Sequence, residues 1–227
     1  MFVVAEVVWF AASVLVLAPF VWAGPETADG RLPLGPLVAL LVVPTAVAAL
    51  VALGGVALVG GGPRRGRVGR ELAVRWRLRD LAVGSGFGLG GLLVTIPAAV
   101  AWAAWVGDED ANSAVGEAFE GRQLPTAAAI FVFLVVWLLA PIGEEVLFRG
   151  VLWRALEHWG WNRWVVFAVT SAVFSVAHLE LLRTPLLLVL SIPVGLARLV
   201  TGNLLAGVVA HQTNNFLPAL GLLLLTT

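Results

Sequence analysis

The chain has 227 residues, of which 60% are hydrophobic and only 12% are charged, and its mean hydropathy is +0.96. A soluble domain is usually about 45–50% apolar and about 25% charged, so this composition predicts an integral membrane protein. The 14 basic and 14 acidic side chains cancel, which removes the electrostatic case for nucleic-acid binding, and the lack of cysteine excludes disulfides, thiolate metal ligands and a cysteine nucleophile.

Seven hydrophobic segments follow one another along the chain. They run from about Val3 to Ala23, Leu34 to Val59, Leu81 to Val106, Leu124 into a polar motif beyond residue 140, Trp164 to His178, Pro185 to Val200, and Leu204 to about Leu225. Pro218 predicts a break in the last one. Because about 20 residues span a bilayer, we expect an all-α, polytopic bundle of seven or eight transmembrane helices. It forms a single membrane domain over residues 1–227, with the polar motifs confined to residues 124–218.

Two charged loops predict how the chain is oriented in the cell membrane. Gly60–Asp80 contains seven arginines against two carboxylates. The positive-inside rule therefore places the loop from Arg64 to Arg79 in the cytoplasm, with a lipid-headgroup site as the alternative interpretation. Gly107–Gln123 is acidic and lies one span away, so we expect a solvated loop on the other side rather than a cation site.

Glycines recur at the start of the third hydrophobic segment. Gly84 and Gly88, and likewise Gly86 and Gly90, have the small-xxx-small spacing that lets helix backbones approach closely in lipid. A phosphate-binding glycine loop is the alternative, but no strand precedes these residues and no Gly-Lys-Ser/Thr follows them. The sequence therefore predicts close helix packing here.

A polar motif, Glu144-Glu145-Val146-Leu147-Phe148-Arg149, interrupts the fourth segment. Glu145 and Arg149 are four residues apart, so on a helix they share a face and can pair, which makes their burial tolerable. Glu144 projects about 100° away and is left without an evident partner. A carboxylate without a partner in a low-dielectric site is suited to proton transfer. Two structural ion pairs with arginines on other helices are the alternative.

Two histidines lie on other segments at depths that match this motif. Trp161 is midway between Glu144 and His178, inside the predicted turn Gly160–Arg163, so a helical hairpin would place both side chains about 24 Å from the turn. His211 lies on the last segment and shares a helix face with Asn215, four residues on.

These side chains together predict a hydrolytic site. Glu144 would take a proton from water, while His178 and His211 orient that water or hold a metal, and Asn215 donates a hydrogen bond to the oxyanion. The remaining histidine, His158, lies beside two tryptophans and is expected to anchor the helix at the membrane interface. Neither His-Glu-x-x-His nor Gly-x-Ser-x-Gly occurs in the chain.

The polar motifs occur in the order Glu144-Glu145-x-x-x-Arg149-Gly150, Phe174-x-x-x-His178, Gly195, Thr201-Gly202-Asn203-Leu204 and His211-x-x-x-Asn215. In this order and spacing, over about Leu124–Pro218, the chain resembles the CPBP family. These are the CAAX-protease and bacteriocin-processing (Abi) intramembrane peptidases, which include the prenyl endopeptidase that trims CAAX proteins. The chain departs from the family's pattern at Leu188 and Ser191, where the family usually has an aromatic residue and a glycine.

The resemblance implies a multi-helix membrane endopeptidase in which the first glutamate activates water. By motif position the functional residues are Glu144, Glu145, Arg149, His178, His211 and Asn215. A zinc ion or another divalent metal held by Glu144, His178 and His211 is one option, and activation of water by the glutamate alone is the other.

The expected partners are membrane lipid and a membrane-associated or lipidated, CAAX-like protein or peptide whose peptide bond is hydrolysed. Two functions of other classes compete with this prediction. A non-catalytic immunity or scaffold protein would keep the same residues as a buried polar network. A proton-coupled transporter would use Glu144 and the histidines as a relay.

Overall fold

The computed structural model describes residues 1–23, 31–59 and 67–227 of the chain. Within these ranges the chain is helical and has no strand. The helices are α1 (Phe2–Ala23), α2 (Leu34–Val59), α3 (Arg67–Glu71), α4 (Leu78–Val106), α5 (Asp108–Ala111), α6 (Ala114–Phe119), α7 (Thr126–His158), α8 (Arg163–Ala177), α9 (Thr184–Thr201) and α10 (Leu204–Thr226). The predicted all-α membrane bundle is confirmed.

Five helices in the described ranges are long and apolar enough to cross a membrane, namely α1, α2, α4, α7 and α9. This is fewer than the seven or eight predicted spans, although each of the seven hydrophobic segments forms a long helix. α8 is apolar but has only 15 residues. α10 has 23 residues but carries the polar run His211–Asn215 in its middle. The two helices that fall short are therefore the ones that bring histidines to the predicted site.

The predicted break at Pro218 is wrong, and the predicted acidic loop is partly helical, although its carboxylates Asp110, Glu117 and Glu120 are exposed. α10 continues through Pro218 without interruption. Packing between helices allows a proline to be tolerated inside a membrane helix. The acidic segment predicted as a solvated loop contains α5 and α6, and Phe119 at the end of α6 is buried against Leu37 and Val132. A buried aromatic ring holds this segment on the bundle.

The arginine-rich segment after α2 is described only from residue 67 onward. Arg64 and Arg65 lie outside the described residues, and so does most of the predicted link Gly24–Arg31. In the described part, Leu72 is buried in a core cluster with Leu147 and Leu204. The segment therefore packs onto α7 and α10 before α4 begins.

Close packing of α4 is confirmed for one of the two predicted glycine pairs. A Cβ atom added at Gly84 would lie 2.5 Å from the carbonyl oxygen of Ala206, and one at Gly88 would lie 2.5 Å from the Cβ of Thr213. The same addition at Gly86 or Gly90 would meet nothing within 4 Å, so that pair makes no close contact. The first pair lets α4 approach the backbone of α10, the helix that carries His211.

The turn between α9 and α10 is held by Asn203, which is fully buried. Its side-chain amide donates to Asp80 Oδ2 at 3.0 Å and to the carbonyl of Arg75 at 2.6 Å. Its Oδ1 accepts from the backbone N–H of Leu205 and so caps α10. Because every polar atom of this amide is satisfied, the start of α10 is fixed against α4.

Candidate active site

Helix α7 is α-helical at the Glu144-Glu145 motif and π-helical on both sides of it. The short α-helical stretch Ala140–Glu145 lies between two π-helical segments of α7, Val135–Leu139 and Val146–Leu152. Pro141 has no N–H and cannot donate to the carbonyl four residues before it, which favours the wider winding of the first segment. Short π-helical stretches of this kind occur frequently at functional sites.

The predicted ion pair between Glu145 and Arg149 is present. Arg149 Nη1 lies 2.8 Å from Glu145 Oε1, and both side chains are fully buried. The Arg149 guanidinium also lies over the ring of Phe174, 4.4 Å from its centroid. His211 Nδ1 lies 3.0 Å from the same Glu145 oxygen. The pair therefore also fixes the ring of a histidine on another helix.

Glu144 faces both predicted histidines. Its Oε2 lies 3.7 Å from His211 Nε2 and 4.0 Å from His178 Nε2. The Glu144 side chain is 22% exposed and that of His178 is 27% exposed, so this side of the cluster is accessible from outside the bundle. Three helices, α7, α10 and the end of α8, thus bring one carboxylate and two imidazoles to one point.

The hydrogen bonds of the two rings fix which nitrogen faces Glu144. His178 Nδ1 lies 2.8 Å from the carbonyl oxygen of Phe174, which can only accept, so we assign a proton to Nδ1. His211 Nδ1 faces the Glu145 carboxylate and is assigned a proton for the same reason. In the neutral rings both Nε2 atoms are therefore acceptors that point towards the Glu144 carboxylate.

Asn215, the sixth predicted residue, does not contact Glu144 in the structure. Its Nδ2 donates to the backbone carbonyl of Val136 at 3.3 Å, and the neighbouring Gln212 donates to the carbonyl of Leu138 at 3.2 Å. The amides of Asn215 and Gln212 therefore bind the first π-helical segment. Asn214, expected to serve packing or local hydrogen bonding, is buried, and its Nδ2 donates to the carbonyl of Leu190 at 3.5 Å. Its Oδ1 has no partner among the described residues.

Residues 126–217 match the family described as the type II CAAX prenyl endopeptidase Rce1-like family. This part of the chain, less than half of it, is similar to an Rce1-like domain. It contains all six predicted site residues and confirms the resemblance to the CAAX-protease family. Residues 1–125 lie outside the match.

The chain is also similar to an uncharacterized 24.3 kDa protein of Escherichia coli, with 31% identity over 98 residues. The match covers 41% of this chain and 44% of the relative, so the chain spans less than half the length of that curated protein. No solved structure matches the chain.

Glu144, His178 and His211 are the three residues predicted to hold a metal. Two imidazoles and a carboxylate have the right chemistry for zinc. However, the described residues contain no group of three or more His, Cys, Asp or Glu side chains placed to hold an ion. Distances of 3.7 and 4.0 Å from Glu144 Oε2 to the two Nε2 atoms exceed the ~3.4 Å expected between two ligands of tetrahedral zinc. As placed, Glu144, His178 and His211 do not form a metal site.

One residue of the site had no role in the sequence-based prediction. Phe174 is buried, and its ring centroid lies 4.6 Å from that of His178 and 5.7 Å from that of His211. Its ring therefore packs against both imidazoles and against the guanidinium of Arg149. The signal in the sequence was its four-residue spacing from His178. The third histidine, His158, is 61% exposed beside Glu71 and lies away from the site.

Proposed function

We propose that the chain is an intramembrane endopeptidase that hydrolyses a peptide bond in a membrane-associated or lipidated, CAAX-like protein or peptide. The observation that carries this proposal is the convergence of the Glu144 carboxylate with two imidazole nitrogens at a partly exposed point. The Rce1-like match of residues 126–217 supports the same class of reaction.

In the proposed reaction, a water molecule donates one proton to Glu144 Oε2 and is oriented by its second hydrogen bond to His178 Nε2. The water oxygen attacks the carbonyl carbon of the scissile bond, and a tetrahedral oxyanion forms. When the carbon–nitrogen bond breaks, Glu144 returns the proton to the leaving amine. The products are a new carboxylate and a free amine.

His211 Nε2 lies 3.7 Å from Glu144 Oε2 and, as an acceptor in the neutral ring, helps His178 to orient the water. The oxyanion requires a hydrogen-bond donor on the opposite side of the carbonyl from Glu144. The amide of Asn215 has two N–H groups, of which one binds Val136. We assign the second N–H of Asn215 to the oxyanion.

The buried ion pair has a supporting role in this scheme. Glu145 receives the Nδ1–H of His211 and is itself held by Arg149. A histidine whose second nitrogen is fixed by a carboxylate keeps one ring orientation and one tautomer. Loss of this pair would leave the ring of His211 free to turn away from the substrate.

Replacing either site histidine with alanine should abolish cleavage of a membrane-anchored reporter peptide. We expect kcat/KM to fall by at least about 10² for His178→Ala and for His211→Ala, since each removes a group that orients the attacking water. His158→Ala is the matched control and should cleave as the unmodified chain does. The readout is the rate of reporter cleavage in liposomes, with folded yield measured for every variant.

The competing functions predict other results in the same liposomes. If the unmodified chain cleaves nothing across a broad panel of lipidated and membrane-anchored peptides, the scaffold function is favoured and the peptidase proposal fails. Proton-coupled flux that depends on Glu144 would indicate a transporter, because a peptidase should show none.

A further inference from the structure

The first π-helical segment of α7 leaves one backbone carbonyl without its α-helical donor. In an α-helix the N–H of Ala140 would donate to Val136, four residues back. Here it donates to Val135, five residues back. The next N–H along the chain would belong to Pro141, which has none. The carbonyl of Val136 instead accepts from the side chain of Asn215 on α10.

The second π-helical segment repeats this arrangement with a different helix. The N–H of Trp153 donates to Phe148, five residues back, and to Gly150, and so passes over the carbonyl of Arg149. That carbonyl accepts from Nε of Arg198 on α9 at 3.1 Å. In each segment, a side chain from a neighbouring helix donates to the carbonyl that the N–H four residues later passes over.

Arg198 is an unusual residue to find at this position. It is only 3% exposed, and no carboxylate among the described residues forms an ion pair with it. Its guanidinium lies over the ring of Trp153, 5.2 Å from the centroid. Burial of a charge is costly unless hydrogen bonds satisfy it, so the bond to the Arg149 carbonyl offsets part of the cost of burying Arg198.

The winding of this segment determines the direction in which Glu144 points. The segment joins the Glu144-Glu145 pair to Trp153–His158, which leads through the turn at Gly160 into α8 and so to His178. A π-helical segment accommodates one residue more than the α-helix that would replace it. If the segment relaxed to an α-helix, Glu144 would turn by about 100° relative to α8 and lose its place beside His178.

We propose that Arg198 is a positioning residue that holds the second π-helical segment open and thereby keeps Glu144 directed at His178. The proposal adds a positioning residue to the proposed peptidase site, and its kinetic predictions rest on the proposed peptidase function. Arg198 touches neither Glu144 nor the histidines. It acts through the backbone of Arg149, the residue whose side chain forms the buried ion pair.

The kinetic test compares a variant that lacks the Arg198 donor with a variant that also lacks the extra residue of the second π-helical segment. Arg198→Met should lower kcat at least about tenfold with little change in KM, because the carboxylate is misplaced while substrate binding is kept. Deleting Leu152 in the Arg198→Met background should restore kcat, since an α-helix without the extra residue needs no side-chain donor. Arg154→Met is the matched control and should keep full activity, because it removes a partly exposed arginine that follows Arg149 by about one turn of α7.

A second test measures by cross-linking whether the side chain at position 144 points towards position 178, and it does not depend on catalysis. The chain has no cysteine, so Glu144→Cys with His178→Cys gives one pair of thiols for a short bifunctional reagent. We expect efficient cross-linking in the otherwise unmodified chain and with Arg198→Lys, which keeps a cationic donor. Cross-linking should be lost with Arg198→Met and return when Leu152 is also deleted.

The outcomes separate this proposal from the proposed function. If cross-linking survives Arg198→Met, the positioning role is overturned. It is also overturned if a folded Arg198→Met variant loses kcat and the deletion of Leu152 does not restore it. If the double variant does not fold, the contrast between Arg198→Met and Arg198→Lys in cross-linking decides. The expected cross-linking pattern in a chain that cleaves no peptide would support the positioning role while contradicting the peptidase.

Discussion

At the scale of single residues, the buried pair of Glu145 and Arg149 is the feature with the largest expected effect on stability. Both side chains are completely buried and 2.8 Å apart. Glu145→Gln leaves the guanidinium charge without its counter-charge, and breaking a buried pair in this way costs about 3–5 kcal/mol. We therefore expect a reduced folded yield and a lower Tm in detergent.

A matched change on the same helix provides the control for that prediction. Glu157→Gln disturbs a partly exposed pair with Arg154 and should cost about 1 kcal/mol or less. Normal yield together with normal activity for Glu145→Gln would refute the structural role of the buried pair.

Gly207 offers a second test at the residue scale. A Cβ atom there would lie 2.9 Å from Glu145 Oε2, closer than real Cβ atoms approach another heavy atom. Gly207→Ala should push this carboxylate away from His211 and lower kcat/KM by about tenfold or more. Gly221→Ala on the same helix meets nothing within 4 Å and should leave activity unchanged. Equal activity of the two variants would show that the Glu145 position tolerates displacement.

At the scale of helices, the turn between α7 and α8 shows what the sequence could predict. The midpoint of Glu144 and His178 in the sequence coincides with the turn that ends at Asn162. Counting residues from this turn therefore predicted that both side chains lie at the same depth. The structure brings Glu144 Oε2 and His178 Nε2 to 4.0 Å from each other. Periodicity and turn residues are local signals, and for this hairpin they were sufficient.

The two π-helical segments were not predicted, and the reason is physical. Pro141 is a local signal for the first segment, since it removes one N–H. The second has no such signal in α7, because the donor that its winding requires comes from Arg198, 49 positions along the chain from Arg149. The bond from Asn215 to Val136 escaped prediction for the same reason. Side-chain donors from another helix are invisible to local patterns.

The packing of α4 on α10 gives a prediction at this scale. Gly84→Val should lower the Tm and the activity, because the added side chain meets the backbone of Ala206 and pushes α10, with His211, away from the bundle. Gly86→Val adds the same side chain two residues along, where nothing lies within 4 Å, and should be tolerated. Thermal unfolding in detergent and reporter cleavage measure both. A Gly84→Val variant as stable and active as Gly86→Val would contradict the close contact.

At the scale of the whole molecule, composition correctly predicted a helical membrane protein but overestimated the number of helices that qualify as spans. Of the two helices that fall short, α8 has only 15 residues, and α10 is interrupted by polar side chains. The middle of α10 carries His211 and the amides that bind α7, and these side chains reduce its hydropathy. Cytoplasmic placement of the arginine-rich loop stays a prediction, because the packing of side chains does not show which side of the membrane a loop faces.

The account depends on water activation by a single carboxylate. The most direct measurement is the kcat of Glu144→Gln on a membrane-anchored, lipidated reporter in liposomes. Glutamine keeps the shape of the side chain but cannot accept the proton, so we predict a fall of about 10² or more in a variant that folds normally. Cleavage by a folded Glu144→Gln variant at the rate of the unmodified chain would contradict the proposed mechanism.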